Sequence, residues 1–142
     1  MPGNVIIQTY NPDNFSIICS QKQNYEMFYE TEIALREQLK YPPFCDIILI
    51  ALNSLDINEI KNTCEYIFNY LKENLDREQF LVLNPMPAPI SKIQNRHRWR
   101  IIIKGNMDER ANEVLNNCLK NVYDKNLKTT RVTIDVNPNN MF

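Results

Sequence analysis

PMPAPISKIQNRHRWRIIIKG, residues Pro85 to Gly105, opens on alternating prolines, passes through a run of cations and ends in three consecutive isoleucines. Its cations are Lys92, Arg96, Arg98, Arg100 and Lys104, and no acidic residue occurs between Glu78 and Asp108. Against a chain-wide balance of 16 Lys and Arg to 17 Asp and Glu, this is a local island of positive charge. The sole histidine, His97, and the sole tryptophan, Trp99, lie within it. Such an island draws phosphate or carboxylate partners to one place without making the whole molecule adhesive. The prolines predict an extended loop over 84–95, and the residues after it predict a strand over 97–104. Side chains alternate along a strand. One face therefore carries His97, Trp99, Ile101 and Ile103, and the other carries Arg98, Arg100, Ile102 and Lys104. The apolar set belongs against helices. The cationic set belongs on an open face, extended from the loop by Arg96 and Lys92.

Working outward, Phe44 to Leu52 is apolar on both faces from Ile47 onward, which predicts a strand covered on two sides. A helix follows, with a capping-box signal in Asp56 and Glu59 and a stripe of Ile57, Ile60, Cys64, Ile67, Phe68, Leu71 and Leu75. Phe80 to Leu83 reads as a second strand. Beyond the basic strand, Asn106 is the expected cap of a helix whose buried stripe is Ala111, Val114, Leu115, Cys118, Leu119 and Val122. Val132, Ile134 and Val136 alternate in a last strand, Arg131 to Val136. The order strand, helix, strand, strand, helix, strand predicts an α+β fold. It is a ferredoxin-like split β-α-β antiparallel sheet with two helices on one face. Upstream, periodic Tyr25, Phe28, Tyr29, Leu35 and Leu39 predict a helix stopped by Tyr41-Pro42-Pro43. Phe15 to Cys19 suggests one helical turn after Asn14, and Val5 to Tyr10 reads as a strand with no neighbour to pair with.

The composition removes several function classes. With 44% apolar and 23% charged residues, the 142-residue chain has the make-up of a soluble globular domain. No apolar run reaches the roughly 20 residues a membrane helix needs, and no signal-peptide pattern is present, so a cytoplasmic location without membrane contact is expected. The only glycines are Gly3 and Gly105, which leaves no phosphate-cradling loop. Cys19, Cys45, Cys64 and Cys118 are widely spaced and read as reduced core residues, not metal ligands. His97 has no acidic or cysteine neighbour to make a triad or metal site, and no pair of carboxylates has a catalytic spacing. Three arginines in a row instead suit phosphate or carboxylate recognition, each through a two-pronged donor fork. Trp99 reads first as a core residue, and second as a platform that backs such a site or stacks on a base. Asp135 and Arg131 read as plain surface strand residues.

Four blocks carry a family resemblance: VIIQTYNPDN, FYETEIALREQLKYPPF, PAPISKIQNRHRWRIIIKG and TIDVNPNNMF. Together, and in this order, they resemble the C-terminal region of the primosomal replication-restart DNA helicases over essentially the whole chain. The resemblance implies three parts. Residues 1–11 would end the second helicase lobe, 12–41 would connect, and 42–142 would form a C-terminal domain like the tenth small-subunit ribosomal protein. It implies that ATP, magnesium and zinc are bound upstream, with no cofactor, metal or catalytic residue in this stretch, so the stretch alone is not an enzyme. It also implies partners: forked and single-stranded DNA, the acidic tail of single-stranded DNA-binding protein, other primosome proteins and the upstream helicase lobes, in a bacterial cytoplasm. By motif position the tail contact falls on Arg96 and Arg100; relatives often carry Gln where this chain has Arg100. The expected DNA- and partner-binding set is Lys92, Arg96, Arg98, Trp99, Arg100 and Lys104. The alternatives are a ribosomal-protein-like RNA-binding domain, a small ferredoxin-like enzyme and a purely structural domain docking on the helicase lobes.

Overall fold

A computed structural model of the chain describes residues 2–141. The chain divides into two compact units, Met1–Leu39 and Lys40–Phe142.

In the first unit, Asn14 caps helix α1 (Phe15–Gln21) by accepting from the Ser16 N–H, and Asn24 caps α2 (Tyr25–Gln38) by accepting from the Met27 N–H. Short polar side chains serve here because they satisfy amide donors that no helical carbonyl can reach. The expected strand at Val5 to Tyr10 does not form: these residues lie outside any ladder, and Val5 and Ile6 are almost fully exposed. A strand is held by its neighbour, and among the described residues none is offered. Along α2 no residue is buried; Tyr25, Tyr29, Leu35 and the C-cap Leu39 all face water, and Tyr25 stacks on Tyr29.

The second unit is an α+β sandwich of two layers. Its strands are β1 (Asp46–Ser54), β2 (Leu81–Val82), β3 (Met86–Ile93), β4 (Arg96–Gly105) and β5 (Arg131–Val136), and its helices are α3 (Ile57–Asn74) and α4 (Glu109–Asp124). The sheet is antiparallel in the order β2-β4-β1-β5, with β3 also paired to β4. This is the split β-α-β order. Helices α3 and α4 bury Ile60, Cys64, Ile67, Leu71, Leu115, Cys118 and Val122 against Ile48, Ile50, Leu52, Ile101, Ile103 and Val132. Each large aliphatic side chain so buried contributes about 2 kcal/mol. The register follows from that. A slip of one residue in β4 would turn Arg98 and Arg100 into the core and Ile101 and Ile103 out, at a cost no other contact offsets.

Within the second unit, three expectations about elements and caps need correction. The first concerns 84–95, which is not a loop: β3 runs through it and forms a hairpin with β4, closed by Gln94 and Asn95, both with positive φ. A two-residue turn with both centres left-handed matches the twist of the flanking strands, and Asn tolerates that conformation. Prolines at every other position remove donors from one edge only, so β3 is an edge strand and not a broken one. The second concerns α4, capped by Asp108 and not Asn106: Asp108 accepts from Ala111, while the Met107 N–H is already held by Asp46. The third is the capping box of α3, which is half present. Asp56 accepts from the Asn58 and Glu59 amides, but Glu59 reaches elsewhere.

Gly105 permits a close approach at the end of β4. A Cβ there would stand 2.4 Å from the Phe80 ring and 2.6 Å from the Gln79 carbonyl oxygen.

Candidate anion-binding face

The period of β4 separates its side chains as their chemistry requires. Trp99, Ile101 and Ile103 face the helices and join the main core. On the opposite face Ile102 joins Ile47 and Leu49 in a small second cluster, capped by Leu83 and by Met141 from the C-terminal segment. Arg96, Arg98, Arg100 and Lys104 have the same parity as Ile102 and share this second face. It is not left entirely to solvent. Asn137, the first residue of the segment leading to Met141, exchanges hydrogen bonds with Ile47 through its amide and its side-chain oxygen, and its side-chain NH2 donates to Asp46.

Each of the four β4 cations on this face is held by neutral groups. Arg96 Nε donates to Asn53 Oδ1 at 2.7 Å, and its Nη2 donates to the Thr129 carbonyl at 2.6 Å. Arg98 Nη1 donates to the Ile90 carbonyl at 3.3 Å. Arg100 Nη1 donates to the Met141 carbonyl at 2.8 Å, while its buried Nε has no partner among the described residues. Lys104 Nζ sits 3.9 Å over the Tyr41 ring. Among the described residues none of these four is ion-paired. Neutral acceptors fix a guanidinium in place without cancelling its charge, and each fork retains unused donors. The face is therefore preorganised and still cationic.

The expected set is not all brought together. Lys92 pairs with His97 across the hairpin. Paired residues project from the same side of a sheet, so Lys92 shares the side of His97 and Trp99 and not that of the arginines. Trp99, packed on the helix-side core, is likewise on the other side. Arg96, Arg98 and Arg100 remain together, with Lys104 further along β4 and engaged by Tyr41. A residue missing from the expected set is Arg131. It lies opposite Asn53 on β5, and Asn53 lies opposite Arg98 on β4, so Arg98, Asn53 and Arg131 form one row across three strands. The period of β5 alone sends Arg131 away from Val132 and Ile134; finding it requires knowing that β5 pairs with β1.

Two depressions open on this face. A cavity of about 190 Å³ is bordered by Ala51, Ala88, Arg98, Arg100, Thr133 and Met141. A groove of about 260 Å³ is bordered by Asn53, Ile93, Gln94, Arg96, Arg98 and Arg131. A larger groove of about 350 Å³ within the first unit, bordered by Ser16, Cys19, Tyr25 and Phe28, has no charged wall. All four cysteines are free and buried. Burial pushes the Cys64 thiol up to about 12 and that of Cys118 up to about 11, which makes both poor nucleophiles. Among the described residues no group of three or more His, Cys, Asp or Glu is placed to hold a metal ion, and no helix is long and apolar enough to cross a membrane. What the face offers chemically is recognition of anions.

Comparison with known proteins points the same way as the four sequence blocks. A family model described as the primosomal protein N C-terminal domain matches residues 37–139. The chain is 32% identical over 139 residues to the replication restart protein PriA of Bacillus subtilis, covering 96% of this chain and 17% of that protein. It is 34% identical over 134 residues to that of Borreliella burgdorferi, covering 94% and 20%. It thus spans about a fifth or less of the length of these curated relatives. Among solved structures, the de novo designed protein Foldit4 superposes with a TM-score of 0.50 at 12% identity, over 68% of this chain and 99% of that one, a likeness of fold alone.

Proposed function

This chain belongs to the primosomal protein N C-terminal domain family, and from that premise we propose that it serves as the DNA- and partner-binding module of an ATP-dependent replication-restart helicase. The observation that supports this reading is the row of Arg96, Arg98 and Arg100 on one sheet face, each held by neutral atoms and, among the described residues, none ion-paired. Such a row attracts the sugar-phosphate backbone of forked or single-stranded DNA. It equally attracts the acidic tail of single-stranded DNA-binding protein. Both are anionic, so one face serves both and both contacts weaken with salt. With three or four cations the affinity is about micromolar or weaker at physiological salt. For Arg100 to take a carboxylate, the Met141 carbonyl either shares the fork or gives way. Unwinding, with ATP, magnesium and zinc, belongs in this reading to parts of the longer relatives that this chain does not span, as does assembly with other primosome proteins in the cytoplasm.

A second reading has its own support. The water-facing Tyr25, Tyr29 and Leu35 of α2, with its C-cap Leu39, fit a role in docking on the helicase lobes. The two roles occupy different units and do not exclude each other.

Competition tests the main reading. A labelled fork DNA is bound at low salt, and an acidic tail peptide is titrated in. Displacement, together with loss of both complexes at high salt, is the expected result; salt-insensitive binding of either ligand counts against a guanidinium face.

A further inference from the structure

The arginine row does not stop at β4. Beside the groove bordered by Arg96, Arg98 and Arg131 lies another of about 270 Å³, bordered by Leu55, Arg96, Lys128, Thr129, Thr130 and Arg131. Arg96 and Arg131 are walls of both. Lys128 adds a fourth cation at the far end, and Arg98 stands at the near end. The carboxylate that belongs to this corner, Glu59, accepts from the Lys128 and Thr129 amides and from the Thr129, Thr130 and Ser54 hydroxyls, so it is spent on holding the 128–130 loop.

We propose that these two adjoining grooves form one track for a nucleic-acid backbone, with Arg131 and Lys128 as phosphate ligands beyond β4. The inference rests on the DNA-binding reading above and extends it to residues outside the basic strand. Four cations strung along two joined grooves match a polymer of repeating phosphates. The neutral Asn53 and Gln94 between them can donate from their side-chain NH2 groups to phosphate and sugar oxygens, the groups that position a nucleic acid without reading its sequence. Arg96 is the fixed point of the track. Its bonds to Asn53 and Thr129 tie the end of β1 to the loop before β5, so the two grooves keep one geometry. The track therefore binds single strands with little base preference and strong salt dependence.

The test uses the full 142-residue chain with a fluorescein-labelled oligothymidylate and, separately, an aspartate-rich peptide, both followed by anisotropy. Arg131→Gln and Lys128→Gln are each expected to weaken oligothymidylate binding about fivefold and to reduce the log–log salt slope by about 0.7. Arg131→Lys restores most of the affinity, and the peptide is affected by neither change. If both Gln variants bind DNA like the parent while Arg96→Ala and Arg98→Ala bind it less well, the extended track is overturned and the β4 face stands. If none of the four variants changes DNA binding, the DNA-binding reading itself fails. If the Gln variants lose the peptide and keep the DNA, the grooves serve an acidic protein partner and the proposal is wrong.

Discussion

Arg96 donates from Nη2 to the carbonyl oxygen of Thr129 at 2.6 Å, while the N–H and hydroxyl of the same threonine donate to Glu59. A cation of the sheet face and an anion at the start of α3 thus grip one residue from opposite sides. They never neutralise each other. The loop before β5 transmits position and not charge: Glu59 fixes the loop, the loop fixes Arg96, and the guanidinium keeps its unused donors for a ligand.

Glu59 makes the fold acid-sensitive. Its carboxylate is held down to about 2, first by the Thr130 hydroxyl and then by the Lys128 and Thr129 donors, against an ordinary value of 4.5. Asp46, accepting from Asn137 and Met107, is lowered as well. A carboxyl depressed in the native state binds its proton more readily when unfolded, so acid favours unfolding. The stabilisation is complete above 4.5 and fades as the pH falls toward 2. Urea midpoints measured over this range should fall with acid in the parent and fall less steeply in Glu59→Gln. Equal slopes would remove Glu59 from the account.

Gly105→Ala should destabilise the domain by about 2 kcal/mol, because the added methyl meets backbone at Gln79 and a core ring at Phe80. Chemical denaturation measures this directly. A neutral substitution would mean that the end of β4 relaxes away from Phe80 at no cost.

Much of the second unit was legible because its periods are unambiguous. The apolar runs of β1 and β5, and the stripes of α3 and α4, left one arrangement that buries them, and the parity of β4 then sent the arginines outward. Other features were not legible, for identifiable reasons. Prolines at 87 and 89 read as loop, since sequence does not say that the strand lies at an edge, where the missing donors cost nothing. Gln94-Asn95 is an unusual pair for a two-residue turn, in which the second centre is more often Gly. Glu59 looked like half of a capping box because its actual partners lie about 70 residues away, at 128–130. Arg131 reads as plain surface from β5 alone, because its place beside Asn53 follows only from the pairing of β5 with β1.

Val5 to Tyr10 should show no slowed amide exchange, since these amides join no ladder and the side chains of Val5, Ile6 and Tyr10 are exposed. Hydrogen–deuterium exchange of the isolated chain checks this. Slow exchange at Ile6 or Ile7 would reveal a strand partner that the fold described here does not contain.

The central claim is that guanidinium groups aligned on one sheet face capture anions. Arg98 tests it most directly, because among the described residues its one side-chain hydrogen bond is long and to a backbone carbonyl, so its removal leaves the core and the loop before β5 intact. Fork DNA and acidic peptide are titrated against the parent and Arg98→Ala at low and at physiological salt. The account predicts that both ligands bind about fivefold more weakly to the variant at low salt, with a shallower salt dependence. Unchanged affinities for both ligands would contradict it.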